Sequence, residues 1–357
     1  MSYEREIRVN TTPAYTVTIG PGLLGTCGRK LAEIVPPCHM AVVTDSTVGP
    51  LYLETVRDSL AAAGYAVSAY TFPAGEESKN FTTLSAILEF LAAEHLTRTD
   101  CLVALGGGVV GDMAGFAAAC YLRGIQYVQM PTTLLSAVDS SVGGKTAIDL
   151  KAGKNLAGAF LQPAAVLCDT DCLKSLPPAV FADGAAEAVK TAVLADPGLF
   201  NCVESGMLNV LDPAEMIAGC VAYKAGVVER DEKEQGERKL LNLGHTVGHA
   251  IEKCSGYAIP HGHAVAAGLA IIARASAKLG WMPDARDAHR ICAALKDLDL
   301  PVSTEFSPEM LAEAALADKK RAGDSITIVV PREIGACELK KMPVTELLPV
   351  IRAGWEA

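Results

Sequence analysis

The chain reads as a two-domain α/β enzyme. An N-terminal α/β domain with a mostly parallel, variant Rossmann-like sheet is expected over residues 1–174, and an all-α C-terminal domain over 175–357. Three observations predict this. Apolar, strand-like runs alternate with helical stretches up to about residue 173, the pattern of a parallel sheet covered on both faces. Strand signals then nearly vanish, and long Ala/Leu-rich helical patterns take over. The change falls at a Pro-Pro segment, SLPPAVFADG (175–184), a natural junction. At 357 residues the chain also exceeds one ordinary core, and its composition, 50% apolar with only 5% aromatic, suits a soluble α/β enzyme.

In chain order, MAVVTDS (40–46), YAVSAYTF (65–72), CLVALGG (101–107), IQYVQMP (125–131) and AAVLCDT (164–170) are the expected strands. Each is a short apolar run, and several end at Gly, Asp or Pro. Helices are expected around 50–63 and 81–95. SITIVVP (325–331) is the one late strand-like exception. The net charge of −10 and pI near 5.3 argue against a general nucleic-acid binder or a protein of anionic membrane surfaces. No apolar core follows MSYEREIRVN, and no run approaches membrane-spanning length. Eleven cysteines without a CxxC pair fit reduced thiols in the cytoplasm. Cys101, Cys120, Cys168 and Cys172 sit in apolar surroundings and are expected to fill core space.

Two glycine-rich stretches suggest anion binding. LGGGVVGDMAGF follows the strand at 101–105 and opens a helical run, with Gly106, Gly108 and Gly111 in GxGxxG spacing. Such a turn brings backbone N–H groups to a pyrophosphate at a helix N-terminus, or simply packs closely. The acidic ribose partner usual about 20 residues on is missing, since 126–138 holds no Asp or Glu. Asp45, Glu76 and Lys79 are the alternative ribose or adenine contacts, and dinucleotide binding in a variant topology is expected. SVGGKT (141–146) fails as a P-loop because Asp139 stands where GxxxxGK[ST] needs glycine. Asp139, Lys145, Lys154 and Asn155 then read either as groups aimed at an anionic ligand or as solvated loop charge.

LNLGHTVGHAIEKCSGYAIPHGHAV (241–265) holds four of the seven histidines. His245 and His249, four apart in a helical stretch, share a face, and His261 follows a Pro-containing turn. Neutral imidazole is the commonest zinc ligand, and a catalytic zinc typically takes three protein groups. Ordinary surface histidines are the competing reading of the pair, and the metal's identity stays open.

PTTLLSAVDSSVGGKTAIDLKAGKNLAGAFLQP, GAAEAVKTA, KAGVVERDEKEQGERKLLNLGHTVGHAIE and HGHAV closely resemble the 3-dehydroquinate synthases. The resemblance runs from GEESK at residue 75 to DKK at 318–320. Within the wider sugar-phosphate cyclases, DSSVGGKT resembles the dehydroquinate synthases rather than the inosose or valiolone synthases. It implies a dehydroquinate synthase-like fold, NAD and zinc (or cobalt) as cofactors, and a homodimer. The metal ligands implied are Glu187, His245 and His261, which moves His249 to a substrate or proton-transfer role. The substrate implied is a sugar phosphate, 3-deoxy-D-arabino-heptulosonate 7-phosphate. Its conversion to 3-dehydroquinate plus phosphate, a step of the shikimate pathway, runs by transient oxidation, phosphate β-elimination, re-reduction, ring opening and aldol closure.

The resemblance implies substrate contacts at Arg123, Asp139, Lys145, Lys154, Asn155, Lys190, Lys224, Glu234, Arg238, Asn242, His249 and a lysine of DKK, Lys320. Of these Lys145, Lys190, Lys224, Arg238, Asn242 and His249 take catalytic roles. For NAD it implies Asp45, Glu76, Lys79, Gly107, Gly108, Val109, Asp112, Thr132, Thr133 and Leu135. The chain departs from the family's commoner residues at Asp149 (Asn), Leu243 (Phe) and His263 (Glu), and His263 is expected to face solvent. A metal-dependent polyol dehydrogenase and a silent NAD-binding regulator are the competing functions. The first leaves the basic KTAIDLKAGKN loop unexplained, and the second leaves a full set of catalytic positions without use.

Overall fold

Alternating apolar residues settle the architecture of the N-terminal half. In a computed structural model describing residues 4–206, 213–317 and 324–356, seven strands form one sheet in the order β1-β2-β9-β6-β5-β3-β4. They are β1 (Arg5–Val9), β2 (Tyr15–Gly20), β3 (His39–Asp45), β4 (Ala66–Phe72), β5 (Cys101–Gly106), β6 (Gln126–Pro131) and β9 (Ala165–Asp169). β1 pairs antiparallel with β2, and every other neighbouring pair in this sheet is parallel. Successive side chains of a strand point to opposite faces. Met40, Val42, Val103 and Leu105 therefore pack on one side with Leu31 of α1 (Cys27–Leu31) and Val56 and Leu60 of α2 (Gly49–Ala62). Ala41, Val43, Leu102 and Ala104 pack on the other with Leu84, Ile87 and Leu91 of α3 (Phe81–Ala93) and Val110, Met113 and Ala117 of α4 (Gly108–Cys120).

All five expected strands and both expected helices of this half form. β1 and β2 were not anticipated. Nor was the antiparallel ribbon of β7 (Lys145–Leu150) and β8 (Gly153–Phe160), which turns the expected glycine-rich loop into a two-stranded sheet. Cys101, Cys168 and Cys172 are buried as expected, but Cys120 is exposed because it is the last residue of α4, beyond the helix's packed stretch.

The chain divides into two compact units. The first comprises residues up to Leu176 together with Lys224–Lys233, and the second comprises Pro177–Tyr223 and Glu234 onward. The short return of 224–233 to the first unit has no mark in composition, so the sequence offers a single boundary instead. The second unit is built on α5 (Pro178–Ala195), α6 (Pro197–Glu204), the first turns of α7 (Pro213–Arg230), α8 (His245–Cys254), α9 (His261–Lys278), α10 (Ala285–Lys296), α11 (Pro308–Ala317) and α12 (Leu347–Gly354). Its described residues are helical apart from one antiparallel hairpin, β10 (Ser325–Glu333) with β11 (Ala336–Pro343), whose first strand contains SITIVVP, so the expected all-α domain carries a small sheet. α9 is the central helix, buried along nearly its whole length and packed against α5, α8, α10 and α12. No helix among the described residues is long and apolar enough to cross a membrane.

Candidate active site

Small residues let the helices of the second unit touch backbone to backbone. A Cβ on Gly262, in the first turn of α9, would sit 1.9 Å from the Asp183 carbonyl of α5. One on Gly268 would sit 2.3 Å from the carbonyl of Gly244, just before α8. Only glycine allows these approaches. They carry Glu187 (one turn beyond Asp183), His245 (first residue of α8) and His261 (first residue of α9) to one point.

There Glu187 Oε1 lies 3.6 Å from His245 Nε2 and 3.5 Å from His261 Nε2. These separations are long for hydrogen bonds. They do suit ligands of a common ion: bonds of about 2.0–2.2 Å at tetrahedral angles put ligand atoms roughly 3.4 Å apart. The Glu187 side chain is 0% exposed, and both its oxygens lie buried without a well-formed hydrogen bond. Lys190, on the next turn of α5, touches Oε2. Among the described residues this triad can hold a metal ion, so the expected ligand set meets in space.

Electrostatics favour that use. Burial alone would raise the Glu187 pKa, but Lys190 and the two imidazoles outweigh it and hold the carboxyl well below its usual range. Burial outweighs the Glu187 carboxylate at His245 and pushes that ring down to about 3, leaving it neutral and able to bind a cation. At His261 burial is overcome by the Glu187 and Glu252 carboxylates, which hold the ring up at about 10. An incoming cation must displace that proton. His249 is exposed one turn beyond His245, its ring centroid 5.2 Å from that of His245 and 6.0 Å from that of His261. In the same unit Arg238 is 1% exposed, and Asn242 Nδ2 donates to Glu234 Oε1 at 2.8 Å.

In the first unit, β3 lies between β4 and β5, so the chain reverses its direction across the sheet at the carboxyl ends of β3 and β5. Open α/β sheets bind nucleotides at such switch points. Asp45 ends β3, and Gly107 with Gly108 leads from β5 into α4, whose first-turn amides are available to an anion. Gly106 serves packing instead, because a Cβ there would meet Val110 at 2.5 Å. Thr132 N donates to Gly106 O at 3.0 Å, which ties the ends of β5 and β6 together, and the Thr132 hydroxyl is buried without a partner. Thr133 Oγ1 pairs with Ser136 Oγ at 2.8 Å, and Leu135 precedes the short turn that carries Asp139.

Lys79, 5% exposed, reaches Asp112 Oδ2 and Asn155 Oδ1, each at 2.5 Å, with Glu76 at 3.9 Å. Burial works against its charge, but Asp112 and Glu76 prevail and raise its pKa. Asp45 Oδ1 already accepts from Thr47 N (2.8 Å) and Val48 N (2.9 Å), shaping the turn into α2. Lys224 Nζ bonds both the backbone and the carboxylate of Asp139. Lys145 is exposed at the start of β7, with half-buried Lys154 on β8. Arg123 stands apart: it is exposed in a left-handed turn (φ 70°) before β6, at the end of the sheet opposite Asp45 and Gly107. Lys320 lies outside the described residues.

His263 does not point freely to solvent. Its backbone N and Nδ1 both lie 3.1 Å from Asp183 Oδ1, because the Gly262 contact presses this turn of α9 onto α5. Sequence reasoning missed Asp183 and also Glu252, whose Oε2 lies 3.4 Å from His261 Nδ1. Spacing could have found Glu252: seven residues after His245, it shares that residue's helix face.

Two family models match adjoining segments, 3-dehydroquinate synthase N-terminal over residues 69–183 and 3-dehydroquinate synthase C-terminal over 184–321. The chain belongs to the 3-dehydroquinate synthase family. The 3-dehydroquinate synthase of Xylella fastidiosa (strain M23) is 44% identical over 349 residues, covering 94% of either chain. Among solved structures, 2-deoxy-scyllo-inosose synthase complexed with carbaglucose-6-phosphate, NAD+ and Co2+ superimposes with a TM-score of 0.87 at 26% identity, over 99% of this chain and 100% of that one. The 2-epi-5-epi-valiolone synthase of Streptomyces hygroscopicus subsp. jinggangensis, with NAD+ and Zn2+ bound, gives 0.85 at 26% identity, over 95% and 96%. The fold is that of the sugar-phosphate cyclases, as expected.

Proposed function

We propose that the chain is a 3-dehydroquinate synthase that converts 3-deoxy-D-arabino-heptulosonate 7-phosphate to 3-dehydroquinate and phosphate, using NAD and a divalent metal. The observation that carries this is the buried Glu187 carboxylate set between two imidazole nitrogens at ligand spacing. Glu187, His245 and His261 would hold zinc or cobalt. The switch-point residues Asp45, Gly107, Gly108, Val109, Asp112, Thr132, Thr133 and Leu135, with Glu76 and Lys79, would hold the dinucleotide. When bound, NAD supplies reversible hydride acceptance and the metal polarises a ring oxygen.

The remaining work falls to the chain's own side chains. Lys190 is buried against Glu187 and keeps that carboxylate ionised for the cation. Arg238, nearly fully buried, offers a guanidinium suited to bidentate grip of the substrate's carboxylate or phosphate. Asn242 and Glu234, already bonded, orient hydroxyls. Lys145, Lys154 and Lys224 contribute point charges that stabilise the departing phosphate, with Asp139 fixing the Lys224 ammonium and Asn155 fixed by Lys79. His249, exposed one turn beyond His245, would hold or pass a proton at an imidazole nitrogen. Arg123 has no partner in this assignment within its own unit's switch-point group.

Incubation with the heptulosonate phosphate, NAD+ and Zn2+ should release inorganic phosphate with no net NADH. Folded, metal-loaded protein that released no phosphate would refute the assignment, and stoichiometric NADH would point to a dehydrogenase instead. We also propose a cytoplasmic homodimer, which light scattering on the purified protein checks for assembly.

A further inference from the structure

His261 uses its ring in two directions. Nε2 faces Glu187 Oε1 at 3.5 Å, and Nδ1 faces Glu252 Oε2 at 3.4 Å. Glu252 is 3% exposed on α8, so its carboxylate is held in the interior, where an ionised group needs partners of opposite or donating character. His245 is anchored differently: its Nδ1 lies 3.1 Å from the Leu243 carbonyl, a neutral acceptor. An imidazole that binds a cation through one nitrogen carries its proton on the other, and the acceptor of that proton sets tautomer and ring orientation.

We infer that Glu252 is a positioning residue for the metal centre. It accepts the Nδ1–H of His261, commits Nε2 to the cation, and places negative charge behind the ring, making His261 the more electron-rich of the two imidazole ligands. The inference rests on the reading that Glu187, His245 and His261 hold the ion. One other use of the carboxylate competes: His249, Glu252 and His261 are themselves close enough to share a cation. With Nε2 of His261 already engaged, that arrangement would require Nδ1 to lose its proton as well, giving an imidazolate. The hydrogen bond is the less costly use.

Glu252→Gln preserves shape and removes charge, so it separates positioning from packing. Zinc affinity, measured by competition with a chromophoric chelator, should fall by about 10–100-fold. The visible spectrum of the cobalt-substituted protein should shift, while NAD binding and circular dichroism stay as in the unaltered protein. Affinity within about twofold and an unchanged cobalt spectrum would overturn the inference and leave Glu252 a packing residue. The unaltered protein gives a second test, whether or not the variant folds. Its cobalt form should show two exchangeable, paramagnetically shifted imidazole N–H proton resonances, one for each anchored ring. A single such resonance would overturn the inference. A second bound zinc, lost in both Glu252→Gln and His249→Ala, would overturn it by making Glu252 a ligand. Failure of the unaltered protein to bind zinc would remove the triad reading itself, and this inference with it.

Discussion

The two units place functional groups by opposite means. In the first, the candidate residues hang from strand ends and turns, and many are already satisfied by one another: Asp45 by two backbone amides, Lys79 by Asp112 and Asn155, Lys224 by Asp139. In the second, Glu187, Lys190 and Arg238 project from within the packed interior, each no more than 1% exposed. A dinucleotide is gripped largely by backbone amides and helix ends, which tolerate side-chain variety. A metal ion needs a few side-chain atoms placed to tenths of an ångström, which only rigid, closely packed helices supply.

The comparison is sharpest at Glu187. Glu187→Gln should lower zinc affinity by more than about 100-fold, beyond what loss of an outer-shell partner costs, and abolish turnover while NAD binding persists. Metal analysis and phosphate release check it, and normal zinc content with a normal rate would break the assignment. The counterpart in the first unit is Asp112→Asn, which leaves the buried Lys79 cation without its carboxylate. It should cost about 3 kcal/mol of stability and weaken NAD binding, with zinc content unchanged. Urea unfolding with dialysis against NAD measures both effects. Gly262→Ala tests the helix contact directly: forcing α9 off the Asp183 carbonyl should cost about 1–3 kcal/mol and reduce zinc retention together.

Acidity offers a milder probe. In chelator-stripped protein His261 holds its proton up to about pH 10, above the roughly 6.5 of an unfolded chain. The stability this gives the ion-free protein is complete below the unfolded value and is lost as pH rises through about 10. Zinc must displace that proton, so its affinity should weaken roughly tenfold for each pH unit lowered within that window. Calorimetry in buffers of different ionisation heat should detect one proton released, and a pH-independent affinity would rule out that displacement. The smallest effect belongs to Asp149→Asn. Asp149 Oδ1 accepts from Asn155 N at 2.7 Å, and an amide oxygen does the same. NAD and substrate affinities should therefore stay within about twofold, or about 0.5 kcal/mol.

Legibility followed burial. The strand 101–106 is apolar and fully buried, and it was plain from its residues. β1, REIRV, alternates charge with apolar side chains at the sheet edge, and β7 and β8 mix lysine and glycine with half-exposed positions, so neither carried a core signal. The histidine spacing singled out His245, His249 and His261, which do lie close together, but it left out Glu187, because a carboxylate on a distant helix leaves no local pattern. Only the family resemblance supplied it. Asp183 matters through its contact with His263, eighty residues on, and contacts between helices that far apart in sequence are invisible to spacing.

One consequence follows from the glycine that lets α9 rest against the Asp183 carbonyl. The span between acid and imidazole is gauged there by main chain on main chain, with the Asp183 carboxylate latching the same turn through His263. Exchanging an apolar side chain that does not touch this contact leaves its main-chain gauge in place. Substitution at this glycine, by contrast, changes the aperture of the pincer itself.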